Sequence, residues 1–341
     1  MHRKTHMFAR YGTIGILCLC FLYFVSPVHA QFGGLGAGGD VEIRTTPEYP
    51  NAYESVTVRV EAFGKNITGA SINWKKNGVL VPDAKNARTL SLTTGALGSK
   101  TTISVSMVLA DGEAVTKSYT LVPSDVDIIL EADTYIPEGY MGRALPGVGS
   151  DVRAIAIPHL YKDGVALKPS DVVYTWDLNG TVLDGGSQLG RQVTKFTIPS
   201  FGRSVIGVKA TSRDGTILTR RAESISVAKP KIVFYEESTL FGRGLLTYAE
   251  FLSPKTEMTI RAVPYYVNNN LRDSGELEYT WTVDGKTINN QGGDPYLLTL
   301  QDVSGGGQAT GNFSFRSQKQ VLQSAQGAFG VKFTGAKFGA M

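Results

Sequence analysis

Apolar and polar residues alternate along several stretches of the chain. Val56, Val58 and Val60 are separated by threonine and arginine, and a similar alternation runs through residues 103–107. A period of two places one row of side chains on a core and the other row in water, as in a half-buried strand. No long stretch shows the period of a helix. The pattern therefore predicts an all-β protein.

The three tryptophans of the chain stand in the same local sequence. Each is followed three residues later by an Asn-Gly or Asp-Gly pair. The three copies are Ile72–Gly78, Tyr174–Gly180 and Tyr279–Gly285, centred on Trp74, Trp176 and Trp281. The tryptophans are 102 and 105 residues apart, and Thr134 and Thr239 each lie 42 residues ahead of one of them. Two landmarks in register indicate an internal repeat.

The pair that follows each tryptophan predicts a tight hairpin turn, because Asn, Asp and Gly accept the positive φ of a type I′ turn. The turn residues are Asn77, Gly78, Asn179, Gly180, Asp284 and Gly285. A repeat of about 100 residues with one tryptophan on a central strand is typical of an immunoglobulin-like β-sandwich, in which the tryptophan fills the core. We therefore predict three tandem sandwiches, at residues 41–125, 126–228 and 229–341.

The N-terminus has the layout of a secretory signal. His2–Arg10 is basic, residues 11–25 are almost wholly apolar, and small residues stand at the −3 and −1 positions of a cleavage site before Gln31. This predicts a signal peptide at residues 1–30 and a mature protein without a membrane span. The alternative is an uncleaved anchor, although the apolar run is shorter than the ~20 residues that span a bilayer. Residues 31–40 are rich in glycine and predict a flexible leader.

Charge and cysteine content argue against several classes of function. The net charge is +4, but residues 1–30 contain three basic and no acidic residues, so the predicted mature chain is close to neutral. The sequence contains no cluster of lysine and arginine that would indicate binding to nucleic acid. Cys18 and Cys20 both lie in the predicted signal peptide. The mature chain would therefore have no disulfide and no thiolate metal site.

The motif Tyr-Thr-Trp-x-x-Asn/Asp-Gly resembles the PKD-type and bacterial immunoglobulin-like repeats of secreted surface proteins. The series Val233–Glu237, Thr259–Tyr266 and Tyr279–Gly285 resembles a group of uncharacterised exported bacterial proteins with such repeats. The likeness covers most of the second and third repeats and is looser over the first. It implies a tandem β-sandwich fold and export, and it brings no catalytic residues.

A calcium site between the first two repeats is one hypothesis for chemistry. Asp125, Asp127 and Asp133 cluster in sequence near the boundary, and oxygen ligands at such a linker can stiffen tandem sandwiches. The alternative is that these aspartates occupy turns, which they favour.

Catalysis has few candidate residues. His159 is the single histidine of the predicted mature chain and follows a proline, which suggests a loop. Glycoside hydrolysis needs only two carboxylates, and Glu131 with Asp133 or Glu236 with Glu237 could supply them. These pairs recur near the start of two repeats, which favours a structural role. We therefore expect no enzyme activity and no cofactor.

The tract around Tyr265 and Tyr266 has two interpretations: an exposed aromatic patch for sugar or protein, or core filling beside the tryptophan. Three functions follow from the sequence. The first is an exported structural or interaction protein of the cell surface, with another exported protein or assembly as its partner. The second is a carbohydrate-binding accessory protein that recognises a glycan. The third is a secreted hydrolase with an unusual carboxylate pair.

Overall fold

The structure is a computed structural model. It describes residues 41–199, 202–238, 240, 242–247, 249–289, 293–303 and 306–334. The predicted signal peptide at residues 1–30 and the predicted leader at residues 31–40 lie outside the described residues. Within the described part of the chain, no helix is long and apolar enough to cross a membrane.

Repeat 1 contains seven strands and a 3-10 turn at Pro82–Ala84. The strands are β1 (Val41–Thr46), β2 (Ser55–Ala62), β3 (Ser71–Lys76), β4 (Val79–Leu80), β5 (Thr89–Thr93), β6 (Thr101–Val108) and β7 (Ala114–Leu121). They form a three-stranded sheet in the order β1-β2-β5 and a four-stranded sheet in the order β4-β3-β6-β7. The inward rows of both sheets share one core.

Repeat 2 has the same two-sheet plan with longer strands. Its strands are β8 (Asp125–Ala132), β9 (Asp151–His159), β10 (Tyr161–Lys162), β11 (Val165–Ala166), β12 (Val172–Leu178), β13 (Thr181–Leu189), β14 (Val193–Thr197), β15 (Ser204–Ser212) and β16 (Leu218–Ile225). The sheets run β14-β9-β8 and β13-β12-β15-β16, and β10 pairs with β11 in a small hairpin. A 3-10 turn at Pro169–Asp171 precedes β12.

Repeat 3 adds strands to this plan. Its elements are β17 (Lys231–Ser238), β18 (Gly242–Thr247), β19 (Glu250–Ser253), β20 (Glu257–Tyr265), α1 (Asn269–Asp273), β21 (Leu277–Val283), β22 (Lys286–Ile288), β23 (Leu297–Gln301), β24 (Gly307–Ser317) and β25 (Ser324–Phe333). The sheets run β18-β17-β20-β23 and β19-β25-β24-β21-β22, with β19 parallel to β25. The chain is thus an all-β protein of tandem immunoglobulin-like sandwiches, which confirms the predicted fold class.

Each tryptophan lies at the centre of one sandwich. Trp74, Trp176 and Trp281 are at most 2% exposed. Their indole N–H groups donate to the backbone carbonyls of Ala87, Arg191 and Pro295, at 2.8, 3.1 and 2.9 Å respectively. Each acceptor stands two residues before the first residue of β5, β14 or β23. Because a buried indole N–H needs a partner, this bond fastens the central strand of one sheet to an edge strand of the other.

The turn after each tryptophan is fastened to a neighbouring strand. Asn77, Asn179 and Asp284 have φ of 50°, 53° and 46°, and the glycine after each also has positive φ. The side-chain oxygen of each turn residue accepts a hydrogen bond from a backbone N–H of β6, β15 or β24, the strand that pairs with the tryptophan strand inside the sheet. The pairs are Asn77–Thr102, Asn179–Val205 and Asp284–Thr310, each at 2.8 Å. The side chain therefore contributes a bond as well as tolerance of positive φ.

Substitutions of Asn179 should separate these two contributions. Asn179→Asp keeps the acceptor and matches repeat 3, so stability should change by no more than about 0.5 kcal/mol. Asn179→Gly keeps the backbone conformation but leaves the Val205 N–H without its acceptor, at a cost of about 1 kcal/mol. Asn179→Ala should cost about 1 kcal/mol more, because alanine disfavours positive φ. Thermal unfolding of the three variants would check this order, and equal stability of the glycine and alanine variants would contradict it.

Candidate functional site

The three aspartates proposed as calcium ligands do not come together. Asp125 and Asp127 lie on the outer face of β8, and both face Arg221 of β16, at 3.7 and 3.6 Å. Asp133 lies beyond the opposite end of β8, about 26 Å from Asp125 along an extended strand. There its carboxylate accepts a hydrogen bond from Asn269 at 2.7 Å. Among the described residues, no group of three or more acidic, histidine or cysteine side chains could hold a metal.

The predicted catalytic candidates are engaged in pairs across the sheets. His159 is the last residue of β9, not a loop residue, and its Nε2 lies 3.0 Å from the Asp127 carboxylate. Arg153 donates to Glu131 at 2.7 Å across β8 and β9. Glu236 and Glu237 are successive residues of β17, so their side chains point to opposite faces.

Arg261 binds the carboxylate of Glu237. Its guanidinium donates to Glu237 at 2.9 Å and to Asp294 at 2.7 Å. Both carboxylates are therefore held in one ion-pair group on repeat 3, between strand β17 and the residues leading to β23. Glu237, one of the two glutamates proposed from the sequence, is thus a structural partner of an arginine.

Tyr265 and Tyr266 are buried, at 4% and 6% exposure. They pack with Tyr235 and Val263 of the same repeat against the segment that joins β8 to β9 in repeat 2. We call this segment, residues 133–150, the strap. The interpretation of these tyrosines as an exposed sugar-binding patch is therefore wrong, because the preceding repeat covers them.

The strap meets the tyrosines through rings and hydroxyls. Tyr140 of the strap is hydrogen-bonded to the hydroxyl of Tyr266 at 2.9 Å, and its ring packs edge-on against Tyr265 at 5.3 Å between centroids. Lys231 lies 5.4 and 5.6 Å from the rings of Tyr265 and Tyr266. The hydrogen bond to Tyr140 and burial raise the pKa of Tyr266 to about 12, and burial raises the pKa of Tyr265 as well. Both phenols therefore remain protonated near neutral pH.

Polar groups also hold the strap to repeat 3. Tyr135 exchanges backbone hydrogen bonds with Tyr266 and Val267, each at 2.8 Å. The side chain of Gln323 is fully buried; it accepts from the Asn268 N–H at 3.1 Å and donates to the Val148 carbonyl at 2.6 Å. Because one amide bridges backbone groups of both repeats, the junction has a defined geometry.

The junction between repeats 1 and 2 is built differently. The Ser124 hydroxyl donates to the Leu218 carbonyl at 2.9 Å, and the Gly98 N–H donates to the Pro123 carbonyl at 2.9 Å. Lys100 and Asp163 form an ion pair at 2.6 Å. The Ser124–Leu218 bond and the Lys100–Asp163 pair join the two repeats beside an open cleft of about 1090 Å³, while the Gly98–Pro123 bond holds the end of repeat 1 to its own sandwich.

The cleft lies between the outer surface of repeat 1 and the β15–β16 end of repeat 2. Its walls come from β1 and β2, from the loop at residues 47–54, from the end of β7, and from the β15–β16 turn. The side chains that give the cleft its chemistry are Arg44, Glu48, Tyr49, Arg59, Glu61, Tyr119, Lys209 and Thr216. It is the candidate functional site, because it is a large concave surface with convergent polar groups.

Several of these polar groups are paired and two are not. Arg44 pairs with Glu61 at 3.2 Å, and the Tyr49 hydroxyl donates to Glu48 at 2.6 Å. Burial and the Glu48 carboxylate raise the pKa of Tyr49 to about 12, so the phenol stays neutral. Arg59 and Lys209 form no ion pair with another described residue. The cleft thus presents two cations and several hydroxyls, a surface suited to an anionic or hydroxyl-rich ligand.

Sequence reasoning missed this cleft. Its lining comes from two repeats, and Lys209 and Arg59 are 150 residues apart in the chain. Neither residue lies in a recognisable motif. The only local signal would have been the tyrosines at positions 49 and 119 near the ends of predicted strands, and such tyrosines usually serve packing.

No protein-family model matches the sequence, and no curated protein matches it significantly. The chain is similar to the three N-terminal domains of the outer capsid protein Hoc of bacteriophage RB49, with 13% identity, coverage of 88% of this chain and 100% of that one, and a TM-score of 0.24. It is also similar to SGBP-B of the mixed-linkage glucan utilization locus of Bacteroides ovatus, in complex with a heptasaccharide (12% identity, 87% and 71% coverage, TM-score 0.23). The fibronectin(III)-like modules of Clostridium thermocellum CbhA give 12% identity, 62% and 98% coverage, and a TM-score of 0.23. With TM-scores this low, the assignment of fold rests on the sheets described above.

Gln323 offers a test of the junction between repeats 2 and 3. Gln323→Ala leaves the Val148 carbonyl and the Asn268 N–H buried without partners, which should cost about 2–4 kcal/mol locally. The strap should then open more often, and trypsin should cleave after the exposed Arg143 at least tenfold faster. Gln318→Ala, which alters an exposed amide of the same repeat, should leave the cleavage rate unchanged. Equal rates in the two variants would contradict the bridging role of Gln323.

Proposed function

We propose that this protein is an exported, non-catalytic interaction protein that binds its partner through tandem immunoglobulin-like domains. The observation that supports this most directly is the contrast between its two junctions. The strap closes the junction between repeats 2 and 3, whereas the junction between repeats 1 and 2 leaves an open cleft of about 1090 Å³. A closed joint beside an open cleft suits a spacer that presents one binding surface.

Two further observations support the proposal. The apolar segment and small residues before Gln31 have the layout of an export signal. The carboxylates that a hydrolase could have used are held by arginines, as in the pairs Glu131–Arg153 and Glu237–Arg261. On this proposal the partner is another exported protein or assembly at the cell surface.

Carbohydrate binding is the second candidate, and the lining of the cleft favours it. Tyr49 and Tyr119 offer aromatic surface and hydroxyls, and Thr216 adds another hydroxyl. Arg59 and Lys209 could bind carboxylates of an acidic sugar. The relevant glycan would therefore be an acidic polysaccharide rather than a neutral one.

The cleft can be tested with a double variant, Arg59→Ala with Lys209→Ala. Loss of two charge-assisted contacts should weaken binding by at least tenfold. The measurement is cross-linking of intact source cells that carry wild type or variant, followed by mass spectrometry of what is attached to the mature chain. A matched control, Lys75→Ala with Lys76→Ala, removes two exposed cations of β3 away from the cleft and should leave the attachment unchanged.

The same variants distinguish the two candidates. Attachment to one envelope protein that the cleft variant loses supports the interaction protein. Binding of purified protein to polygalacturonate but not to a neutral glucan, again lost in the cleft variant, supports the second candidate. If neither binding is found, or if the cleft variant and the control behave alike, the cleft is not the functional site.

A further inference from the structure

The sheet that contains the first strand of each repeat has an outer face, and the three outer faces differ. In repeat 1 the outward positions of β1 and β2 are polar, as at Arg44 and Arg59, and they line the cleft. In repeat 3 the outward positions include Tyr235, Val263 and Tyr265, and the strap buries them. Thus the apolar outer face of repeat 3 is covered by the strap, whereas the exposed outer face of repeat 1 is polar.

Repeat 2 departs from this rule. Ile129 of β8 pairs with Ile155 of β9, which in turn pairs with Val193 of β14, so the three side chains form one row across the sheet. Ile157 stands next in line on β9. Ile129, Val193 and Ile157 are 44%, 40% and 36% exposed. This row of β-branched apolar side chains faces outward, and no described segment covers it.

The missing cover has a simple cause. The strap that covers repeat 3 comes from the connection between the first two strands of repeat 2, which has 18 residues. The corresponding connection in repeat 1, residues 47–54, has only eight. It ends at the cleft and supplies no segment for the outer face of repeat 2. The described chain therefore supplies no cover for that face.

A charged row borders the apolar row. Glu131 pairs with Arg153, and Arg153 stands opposite Lys195 in the register of the sheet. Arg153 donates to Glu131 at 2.7 Å, but Lys195 forms no ion pair with another described residue. The charged row therefore has an acid at the β8 edge and an unpaired cation at the β14 edge.

We propose that the outer face of repeat 2 binds the same face of a second copy of this chain. A two-fold axis that runs along β9 places β8 of one copy over β14 of the other. Ile129 then faces Val193, Ile155 and Arg153 each face their own counterparts, and Glu131 faces the unpaired Lys195 twice. Sheets commonly pack face to face in nearly aligned directions, as this arrangement requires.

The charges select this arrangement over the other two-fold one. An axis across the strands would place β8 over β8, which brings Glu131 of one copy onto Asp127 of the other. That pairing brings like charges together twice, whereas the favoured one sets two Glu131–Lys195 pairs against a single contact between the two Arg153 side chains, each already bound by its own Glu131. Copies related by the favoured axis run side by side in the same direction, as they would if both were held at one surface.

The size of the face predicts weak association. Three strands about 4.8 Å apart and about five residues long give roughly 250 Å² per copy. Stable complexes bury about 800 Å² per partner. The dimer should therefore form at high protein concentration, or where copies are held close together, since a high local concentration favours weak contacts.

Sedimentation velocity of the full mature chain, from about 5 to 500 µM at low salt, tests the proposal. The expected result is a reversible shift from monomer to dimer as concentration rises. Ile155→Lys should abolish the shift, because it places a cation at the centre of the apolar row. Ser91→Lys, an equivalent change on the outer face of repeat 1, should leave the shift unchanged. Ile155 lies on an outer face, so the melting temperature of its variant should stay close to wild type.

A charge exchange tests the arrangement of the two copies. Lys195→Glu and Glu131→Lys should each weaken the dimer about tenfold. The double exchange should restore it, because a carboxylate at position 195 again faces an ammonium group at position 131. Arg153 keeps an acidic neighbour in the double variant. A monomer at every concentration would overturn the proposal and leave the face to a different protein. A dimer that survives Ile155→Lys, or a double exchange that does not restore association, would overturn it as well.

Discussion

The hydrogen bond from each buried indole to the opposite sheet is the contact on which the sandwiches depend. No disulfide links the sheets in the described chain, so packing and this bond must hold them in register. Each tryptophan fills the centre of its core and also fastens the approach to an edge strand. Truncation of a buried tryptophan usually costs about 3–5 kcal/mol. The same device recurs in all three repeats, although their loops and extra strands differ.

Differences between the repeats, rather than their common core, give the molecule its surfaces. A long first connection in repeat 2 becomes the strap that buries Tyr265 and Tyr266 of repeat 3. A short first connection in repeat 1 leaves both the cleft and the outer face of repeat 2 open. The length of the connection between the first two strands of a repeat therefore determines whether that connection covers the following repeat. The proposed functions all depend on the two surfaces that stay exposed, the cleft and the outer face of repeat 2.

The candidate sites show why local sequence was a poor guide to chemistry. Asp125 and Asp133 are close in sequence, yet an extended strand carries them to opposite ends of repeat 2. The paired tyrosines had two interpretations, a sugar platform or a core, because both uses need the same aromatic residues. Arg59 and Lys209 carry no motif at all and meet only when repeat 1 packs on repeat 2.

The sequence by itself determined the all-β class, the three repeats and the turns that follow the tryptophans, since these follow from local periodicity and from residues that accept positive φ. It could not determine that Asn179 accepts a bond from Val205, or that the strap crosses to the next repeat. Such contacts join residues far apart in the chain, and only the packing of whole sheets brings them within hydrogen-bonding distance. Tertiary structure alone therefore decided which apolar and charged residues remain available for binding.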